Sequence, residues 1–274
     1  GANENTTIQF SSEVKIEGKT LAAGTYGLHM IPTTSEWTLI FSKNYYAWGS
    51  FFYKESDDAL RVKVQPHAAP MQDWLSYAFT HPEAGKVTAE LHWEKLIIPF
   101  QIEVNVPEVV FESMRKELSN VNGFFWQGHN QAANYCIQNN IHLEEAMLWI
   151  DKSIGIQKTF ANMNTKAKLM DKLGKPTDAA RLRKEALMLA DEAQLNAYGY
   201  ELMAQGNNQE ALSIFTENVK RYPNSWNVYD SLAEALANGG NTKEAIRNYK
   251  IAASKAPDTQ QKRIADILKK LEAK

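Results

Sequence analysis

The chain has 274 residues, which is long for one domain and comfortable for two. Its 44% hydrophobic and 23% charged residues are ordinary for a globular protein. The formal net charge of −2 at pH 7 gives no electrostatic reason to expect nucleic acid or an anionic membrane as a partner. The single cysteine, Cys136, excludes an internal disulfide, and its apolar helical neighbours predict a buried thiol. No long apolar run is present, so no transmembrane segment is predicted.

Residues 6–106 alternate between apolar and polar side chains, which is the period-two pattern of half-buried β-strands. The alternation is clearest over residues 87–93 and 96–106. Turn sequences such as Glu83-Ala84-Gly85 separate the stretches. We count eight or nine such stretches with no helical pattern between them. The sequence therefore predicts an antiparallel β-sandwich or jelly-roll-like domain over residues 1–106.

At Pro107 the pattern changes to the 3.6-residue period of amphipathic helices, so residues 107–274 are predicted to form a helical domain. Gly174-Lys175-Pro176 should end one helix and begin the next. Asp258 and Gln261 should form a capping box for the last helix. The predicted helices span residues 107–119, 124–138, 143–155, 157–173, 177–193, 195–205, 208–221, 226–238, 242–255 and 259–273.

Two stretches of the helical half, residues 192–225 and 226–259, repeat with a period of 34 residues. Small residues recur at the same phase, as Ala211 and Ala245 do, and a proline closes each copy. A helix–turn–helix unit of this length and pattern is the tetratricopeptide repeat (TPR) signature. Degenerate copies upstream predict a solenoid of three or four helix pairs, with residues 259–273 as a helix that caps its end. Such repeats usually bind another protein, so we expect a protein or peptide partner.

Four strings of the β half carry a family resemblance: Gly1-Ala2-Asn3-Glu4-Asn5-Thr6-Thr7-Ile8 and residues 23–32, 48–53 and 58–62. Together they resemble the bacterial domain of unknown function 2911 (DUF2911) family, whose members often carry TPRs after the β domain. The resemblance implies export to the periplasm or cell envelope, although no signal peptide is present in this chain.

The same resemblance implies a further segment before the Gly1–Glu4 motif, rich in glycine and arginine, that should supply the first strands of the β domain. Without that segment the β domain is expected to be incomplete. Its exposed edge near Asn3 to Phe10 could then pair with another chain, which makes self-association a possible property of the protein.

The β half offers one set of candidate ligand-binding residues. A carboxylate and an amide at Glu4 and Asn5 could hold a ligand or form an acid–base pair with His29, although polar residues at a strand entrance are also ordinary turn chemistry. Trp48 and Tyr53 flank a glycine, and aromatic residues either bind sugars and peptides or fill a core. The six histidines show no metal-ligand spacing, so neither a metal nor a cofactor is predicted.

In the repeats, residues of each first helix that point away from the helix crossings should line a groove. Asparagine amides and a tyrosine there could hold a peptide backbone. The alternative is a solvated surface packed against the β domain. No lysine–arginine clamp for a C-terminal carboxylate is evident among these residues. The predicted groove residues are Asn196, Tyr200, Met203, Asn227, Asp230 and Glu234.

These features favour a non-catalytic, exported binding or scaffold protein that uses the helical groove, with no catalytic residue assigned. The alternative is a small-ligand or carbohydrate binder, or a hydrolase-like enzyme, with its site in the β domain. In a third possibility the repeats only brace the β domain. The sequence contains no phosphate-binding loop, dinucleotide fingerprint, serine elbow or nucleic-acid motif.

Overall fold

The computed structural model describes residues 3–273. Gly1 and Ala2, the first two residues of the Gly1–Ile8 string, and Lys274 lie outside the described residues. The chain divides into two compact units, the first ending at Lys116 and the second beginning at Glu117. Helix α1 (Val106–Glu117) therefore belongs almost entirely to the first unit. The boundary predicted at Pro107 lies at the start of α1, whereas the division between the two units lies at its end.

The described part of the first unit contains eight strands in two antiparallel sheets. The first sheet has the order β1-β4-β5-β6, and the second has the order β3-β2-β8-β7. The strands are β1 Thr7–Phe10, β2 Val14–Ile16, β3 Lys19–Leu21, β4 Gly24–Ile31, β5 Trp37–Ser42, β6 Asp58–Val64, β7 His67–Glu83 and β8 Lys86–Glu103.

The two sheets enclose one apolar core. Phe41 of the first sheet and Phe100 of the second are both buried, and their ring centroids lie 6.1 Å apart in an edge-on contact. Leu39, Ile16 and Ile98 are fully buried in the same core. In β5 and β8, alternate residues such as Leu39 and Phe41, or Ile98 and Phe100, face this core, as the period-two pattern requires. The predicted antiparallel β-sandwich is confirmed.

The β7–β8 hairpin differs from the predicted strand pattern. The two stretches predicted at 87–93 and 96–106 form the single strand β8. Glu94 has a left-handed φ of 51°, and the pairing register shifts on either side of its partner Gln72. A bulge of this kind absorbs the change in alternation without ending the strand.

The second unit consists of helices in antiparallel pairs. In the described residues α2 pairs with α3, α4 with α5, α6 with α7 and α8 with α9, and α10 packs on α9. The predicted stack of helix pairs with a further helix after the fourth pair is confirmed, and Cys136 is buried as predicted. The helices are α2 Trp126–Asn139, α3 Leu143–Ile156, α4 Phe160–Lys172, α5 Pro176–Leu189, α6 Glu192–Ala204, α7 Asn208–Arg221, α8 Trp226–Asn238, α9 Thr242–Lys255 and α10 Asp258–Glu272.

Capping side chains move some helix starts away from their predicted positions. Helix α6 begins at Glu192 because Asp191 and Gln194 form a capping box, in which the Gln194 N–H donates to Asp191 Oδ1 at 2.8 Å. Thr159 and Asn162 form the same motif before α4. The apolar period alone predicted each of these two helix starts about three residues away from its position in the structure.

The capping box predicted from Asp258 and Gln261 is wrong. Helix α10 follows Pro257 with no side-chain cap. The Gln261 amide instead donates to the carbonyls of Ala253 and Ala256, both at 2.8 Å. Gln261 thereby satisfies carbonyls at the end of α9, which would otherwise lack partners.

The turn inside each helix pair explains why the upstream repeats are hard to recognise. Gly174, Gly206 and Gly240 each have a left-handed φ between 72° and 80°. In the first pair Asn140 takes this conformation, with a φ of 55°. Asparagine is the side chain that tolerates this region best after glycine. The first repeat therefore keeps the turn geometry while losing the glycine that marks it in the sequence.

The two helices of the third pair cross closely at Gly199. A Cβ atom at this position would lie 2.6 Å from the ring of Phe215. The equivalent position of the next pair is Ala233, which is fully buried opposite Tyr249. The crossing therefore requires a very small residue, as the repeated small positions predicted.

We expect Gly199→Ala to destabilise the chain by about 1–3 kcal/mol, because Phe215 must leave its preferred position to admit the methyl group. Urea unfolding followed by far-UV circular dichroism measures this loss. Gly155→Ala in α3 is the matched control, since a Cβ there meets nothing within 4 Å. The control should be neutral or stabilise by up to about 1 kcal/mol. Equal losses for the two variants would contradict the crossing argument.

Candidate functional sites

A polar cluster lies around Gly27 on strand β4. A Cβ at Gly27 would come within 2.9 Å of Asn5 Nδ2 and 3.3 Å of His29 Nε2, so only glycine leaves room for both side chains. Asn5 Nδ2 donates to the Asn44 carbonyl at 3.1 Å. His29 Nδ1 lies 2.8 Å from Ser50 Oγ. The cluster thus brings two predicted residues, Asn5 and His29, together with the loop after β5.

The surroundings of His29 keep it neutral. Burial lowers the pKa of His29, and the nearby carboxylate of Asp58 offsets only part of this effect. A neutral imidazole can accept a hydrogen bond from the Ser50 hydroxyl at Nδ1. The ring of His29 also packs on Tyr53, with the centroids 5.2 Å apart.

Tyr53 supports the cluster instead of offering a free aromatic face. Its hydroxyl donates to Asp58 Oδ2 at 2.9 Å, and the Arg61 guanidinium bonds both Tyr53 and Asp58. Burial raises the pKa of Tyr53, so the phenol stays protonated and keeps donating. The predicted ligand-binding residue Tyr53 is therefore placed under His29, where it fixes the imidazole.

A second feature of this region is a cleft of about 660 Å³ between residues 3–7 and the loop that follows β5. We call it the aromatic cleft. The Asn5 N–H donates to the Ala47 carbonyl at 3.1 Å and holds the two sides together. The volume lies within the range of about 300–1,000 Å³ typical of small-molecule sites. Its lining residues are Asn3, Glu4, Asn5, Thr7, Asn44, Tyr45, Tyr46, Ala47, Trp48 and Phe52.

Three of the five predicted ligand-binding residues, Glu4, Asn5 and Trp48, line the aromatic cleft. His29 lines a smaller neighbouring pocket of about 330 Å³, which shares Asn5 with the cleft. Glu4 is exposed, and no hydrogen bond joins it to His29 in the described residues. The structure therefore does not form the acid–base pair suggested for Glu4 and His29.

Sequence reasoning missed Ser50, Asn44 and the further aromatic residues Tyr46 and Phe52. The available signal was the density of aromatic residues around Trp48-Gly49-Ser50, in a segment that lacks strand alternation. A segment outside the sheets has no core to fill with such residues, so a surface role was the better interpretation.

The first helices of the pairs carry a row of polar residues at one phase. The spacings along this row are 34, 32 and 34 residues. Asn164 is buried, and the Oδ1 atoms of Asn130 and Asn196 are buried without a hydrogen-bond partner in the described part of the chain. We call this set the amide row. Its amide members are Asn130, Asn164 and Asn196, on α2, α4 and α6, and the carboxylate of Asp230 occupies the same position on α8.

Polar contacts join consecutive first helices beside the amide row. Lys168 Nζ on α4 lies 2.8 Å from Glu201 Oε1 on α6. The hydroxyl of Tyr200 on α6 donates to Glu234 Oε2 on α8 at 2.7 Å. Burial, with a further contribution from Glu234, raises the pKa of Tyr200 to about 12, so the hydroxyl remains a donor. The predicted groove residues Tyr200 and Glu234 therefore hold neighbouring helices together.

The remaining predicted groove residues have different surroundings. Asn196 belongs to the amide row, and Asn227 is half-buried at the start of α8. Met203 packs against the core between α6 and α7. Asp230 is buried, and its Oδ1 accepts from Arg263 Nη2 of α10 at 2.9 Å.

A cleft of about 670 Å³ is lined mainly by α2, α4 and α6, with further residues of α5 and α7. Lys168 and Arg183 line it and pair with Glu201 and Asp171. Sequence reasoning missed these cations because it considered only the two clearest repeats. The signal was present in Asn130 and Asn164, which lie 34 residues apart.

Two searches of the described residues, 3–273, gave negative results. No group of three or more histidine, cysteine or acidic side chains is arranged to hold a metal ion. No helix in this range combines the length and the apolar character needed to cross a membrane.

These observations define a β-sandwich domain followed by a TPR-like helical solenoid. Residues 1–102 match the family described as "Protein of unknown function (DUF2911)". This match at the N-terminal part of the chain confirms the resemblance seen in its motifs. No curated protein matches the chain.

Solved structures similar to the chain include two that are described as TPR proteins. The TPR protein YrrB, described as having an unusual peptide-binding site, is 20% identical, with 60% of this chain and 85% of that chain covered and a TM-score of 0.35. PilF of Pseudomonas aeruginosa is 18% identical, with coverages of 53% and 67% and a TM-score of 0.34. The C-terminal part of a TPR protein from Cytophaga hutchinsonii is 16% identical, with coverages of 55% and 60% and a TM-score of 0.36. With scores this low, the assignment of the second unit rests on its own helix pairs.

The pair of Asp230 and Arg263 gives the second unit a pH-dependent contribution to stability. Burial raises the pKa of Asp230, and Arg263 offsets part of that rise. In Arg263→Ala the buried carboxylate loses its cation, so its folded-state pKa should rise further. A raised folded-state pKa favours the protonated form. The resulting loss of stability is therefore absent below the unfolded pKa and grows as pH rises through the folded pKa.

We expect Arg263→Ala to cost about 1–3 kcal/mol at neutral pH and clearly less at mildly acidic pH, measured by urea unfolding at both values. Arg247→Ala is the matched control, because Arg247 is exposed and its contact with Glu244 is 3.9 Å long. The control should change stability by less than about 0.5 kcal/mol. A loss from Arg263→Ala that is the same at both pH values would refute the role of Asp230.

Proposed function

We propose that the protein is a binding protein whose helical repeats hold an extended segment of a protein partner against the first helices. The amide row is the observation that carries this proposal. In residues 3–273 the side-chain oxygens of Asn130 and Asn196 are buried and have no hydrogen-bond partner. A peptide N–H that reached one of these oxygens would satisfy a buried acceptor, which favours binding.

The spacing of the row suits an extended chain. Neighbouring packed helices lie about 8–10 Å apart, and an extended peptide advances about 3.3 Å per residue. One amide can therefore meet the backbone of about every third residue of the ligand. Backbone recognition of this kind tolerates many side chains, and the cleft beside Asn164 and Lys168 then supplies a local preference.

The contacts between first helices favour binding without a large rearrangement. Tyr200 with Glu234 and Asp230 with Arg263 fix the relative positions of α6, α8 and α10 before any partner arrives. A preformed groove lowers the entropy cost of binding. This supports a scaffold that presents a fixed surface.

We expect linear peptides selected from a random library against the full chain to bind in the groove. Fluorescence polarisation should show that Asn196→Ala with Asn227→Ala weakens them at least about tenfold, a loss of 1.4 kcal/mol. The matched control is Thr216→Ala with Arg247→Ala, on exposed positions of the second helices. This control should change affinity less than about twofold. A library that enriches no peptide, or equal losses in both double variants, would overturn the proposal.

We further propose that the protein acts in the periplasm or cell envelope, as the DUF2911 resemblance implies. An antibody against the chain should detect the protein with envelope markers when cells of the native organism are fractionated. Recovery with a cytoplasmic marker enzyme would contradict this location.

A further inference from the structure

We propose that the aromatic cleft of the β unit is a binding site for neutral carbohydrate. Its most unusual feature is the exposure of large aromatic side chains. Tyr46, Trp48 and Phe52 line it and are 88%, 60% and 63% exposed. Contiguous exposed apolar surface of this kind marks a ligand or interaction site on a folded protein.

The backbone that carries Trp48 is held in place before any ligand binds. The Trp48 ring contacts the exposed ring of Phe51 with the centroids 6.1 Å apart. The Phe51 N–H donates to the Trp48 carbonyl at 3.4 Å, and the Tyr53 N–H donates to the Ser50 carbonyl at 3.2 Å. Trp48 therefore sits on a hydrogen-bonded turn whose far end, Tyr53, is anchored to Asp58. A positioned flat ring can stack against the C–H face of a sugar.

The polar groups beside the rings match the hydroxyl groups of a sugar. Asn3 and Asn44 bring carboxamides that both donate and accept, and Glu4 brings an acceptor. Asn5 is fixed by its bonds to the Asn44 and Ala47 carbonyls. A sugar hydroxyl needs a donor and an acceptor at the same point, which mixed amide and carboxylate groups supply.

The charge of the cleft selects against anionic ligands. Glu4 is the charged side chain of its lining, which contains no lysine or arginine in the described residues. A phosphate, nucleotide or uronic acid would meet this carboxylate without a compensating cation. An extended peptide is also disfavoured, because the Asn5 N–H on the cleft wall is already bonded to Ala47.

The test uses the full chain and four neutral hexasaccharides: maltohexaose, cellohexaose, laminarihexaose and chitohexaose. Saturation-transfer NMR and calorimetry should show at least one of them binding with a dissociation constant below about 1 mM. Trp48→Ala should weaken that ligand at least tenfold. The control Trp74→Ala removes an 86% exposed tryptophan of β7 outside the cleft and should leave affinity within twofold.

Three results would overturn the proposal: no hexasaccharide binds, both tryptophan variants lose affinity equally, or hexagalacturonate binds more tightly than the neutral sugars. The proposal is independent of peptide binding by the repeats. Trp48→Ala should therefore leave the affinity of groove-selected peptides unchanged, and failure of either proposal leaves the other standing.

Discussion

The close crossing of the two helices in each pair is the constraint on which the second unit depends. Ala133, Ala167 and Ala233 are fully buried in the first helices, and Gly199 takes this place opposite Phe215. Small residues let the backbones approach, which fixes the tilt of each pair and hence of its neighbour. The same tilt presents one face of every first helix to the same side. Each residue of the amide row lies three positions before one of these small residues. The packing of the small residues therefore also places the amide row at equivalent points of successive pairs.

The β unit places its distinctive chemistry outside its core. Its two sheets account for the buried apolar residues, whereas the aromatic residues around Trp48 remain at the surface. They lie on a loop that Asn5 and the network of Tyr53, Asp58 and Arg61 hold in position. A scaffold of strands supporting a chemically varied loop is how many folds carry different binding functions.

The sequence predicted repeating and alternating features well, because period and turn chemistry are local properties. Both sheets, the helix pairs and the left-handed turn at Gly174 followed from such patterns. The bulge at Glu94 and the partners of Gln261 did not, since they depend on which backbone groups the fold leaves unpaired. The sites show the same division. Trp48 could be singled out by its glycine neighbour, whereas the contact of Asp230 with Arg263, 33 residues away, required the packed stack.

The ion pair between Asp230 and Arg263 also links helix α10 to helix α8 across the intervening helix α9. In a repeat stack each helix pair packs on its neighbours, so local opening spreads from one interface to the next. Breaking the bond to Arg263 leaves the Asp230 charge buried in α8. Separating α10 from α8 is therefore a step of high local cost instead of gradual fraying. The ion pair thus joins α8, α9 and α10 into one unit of local stability.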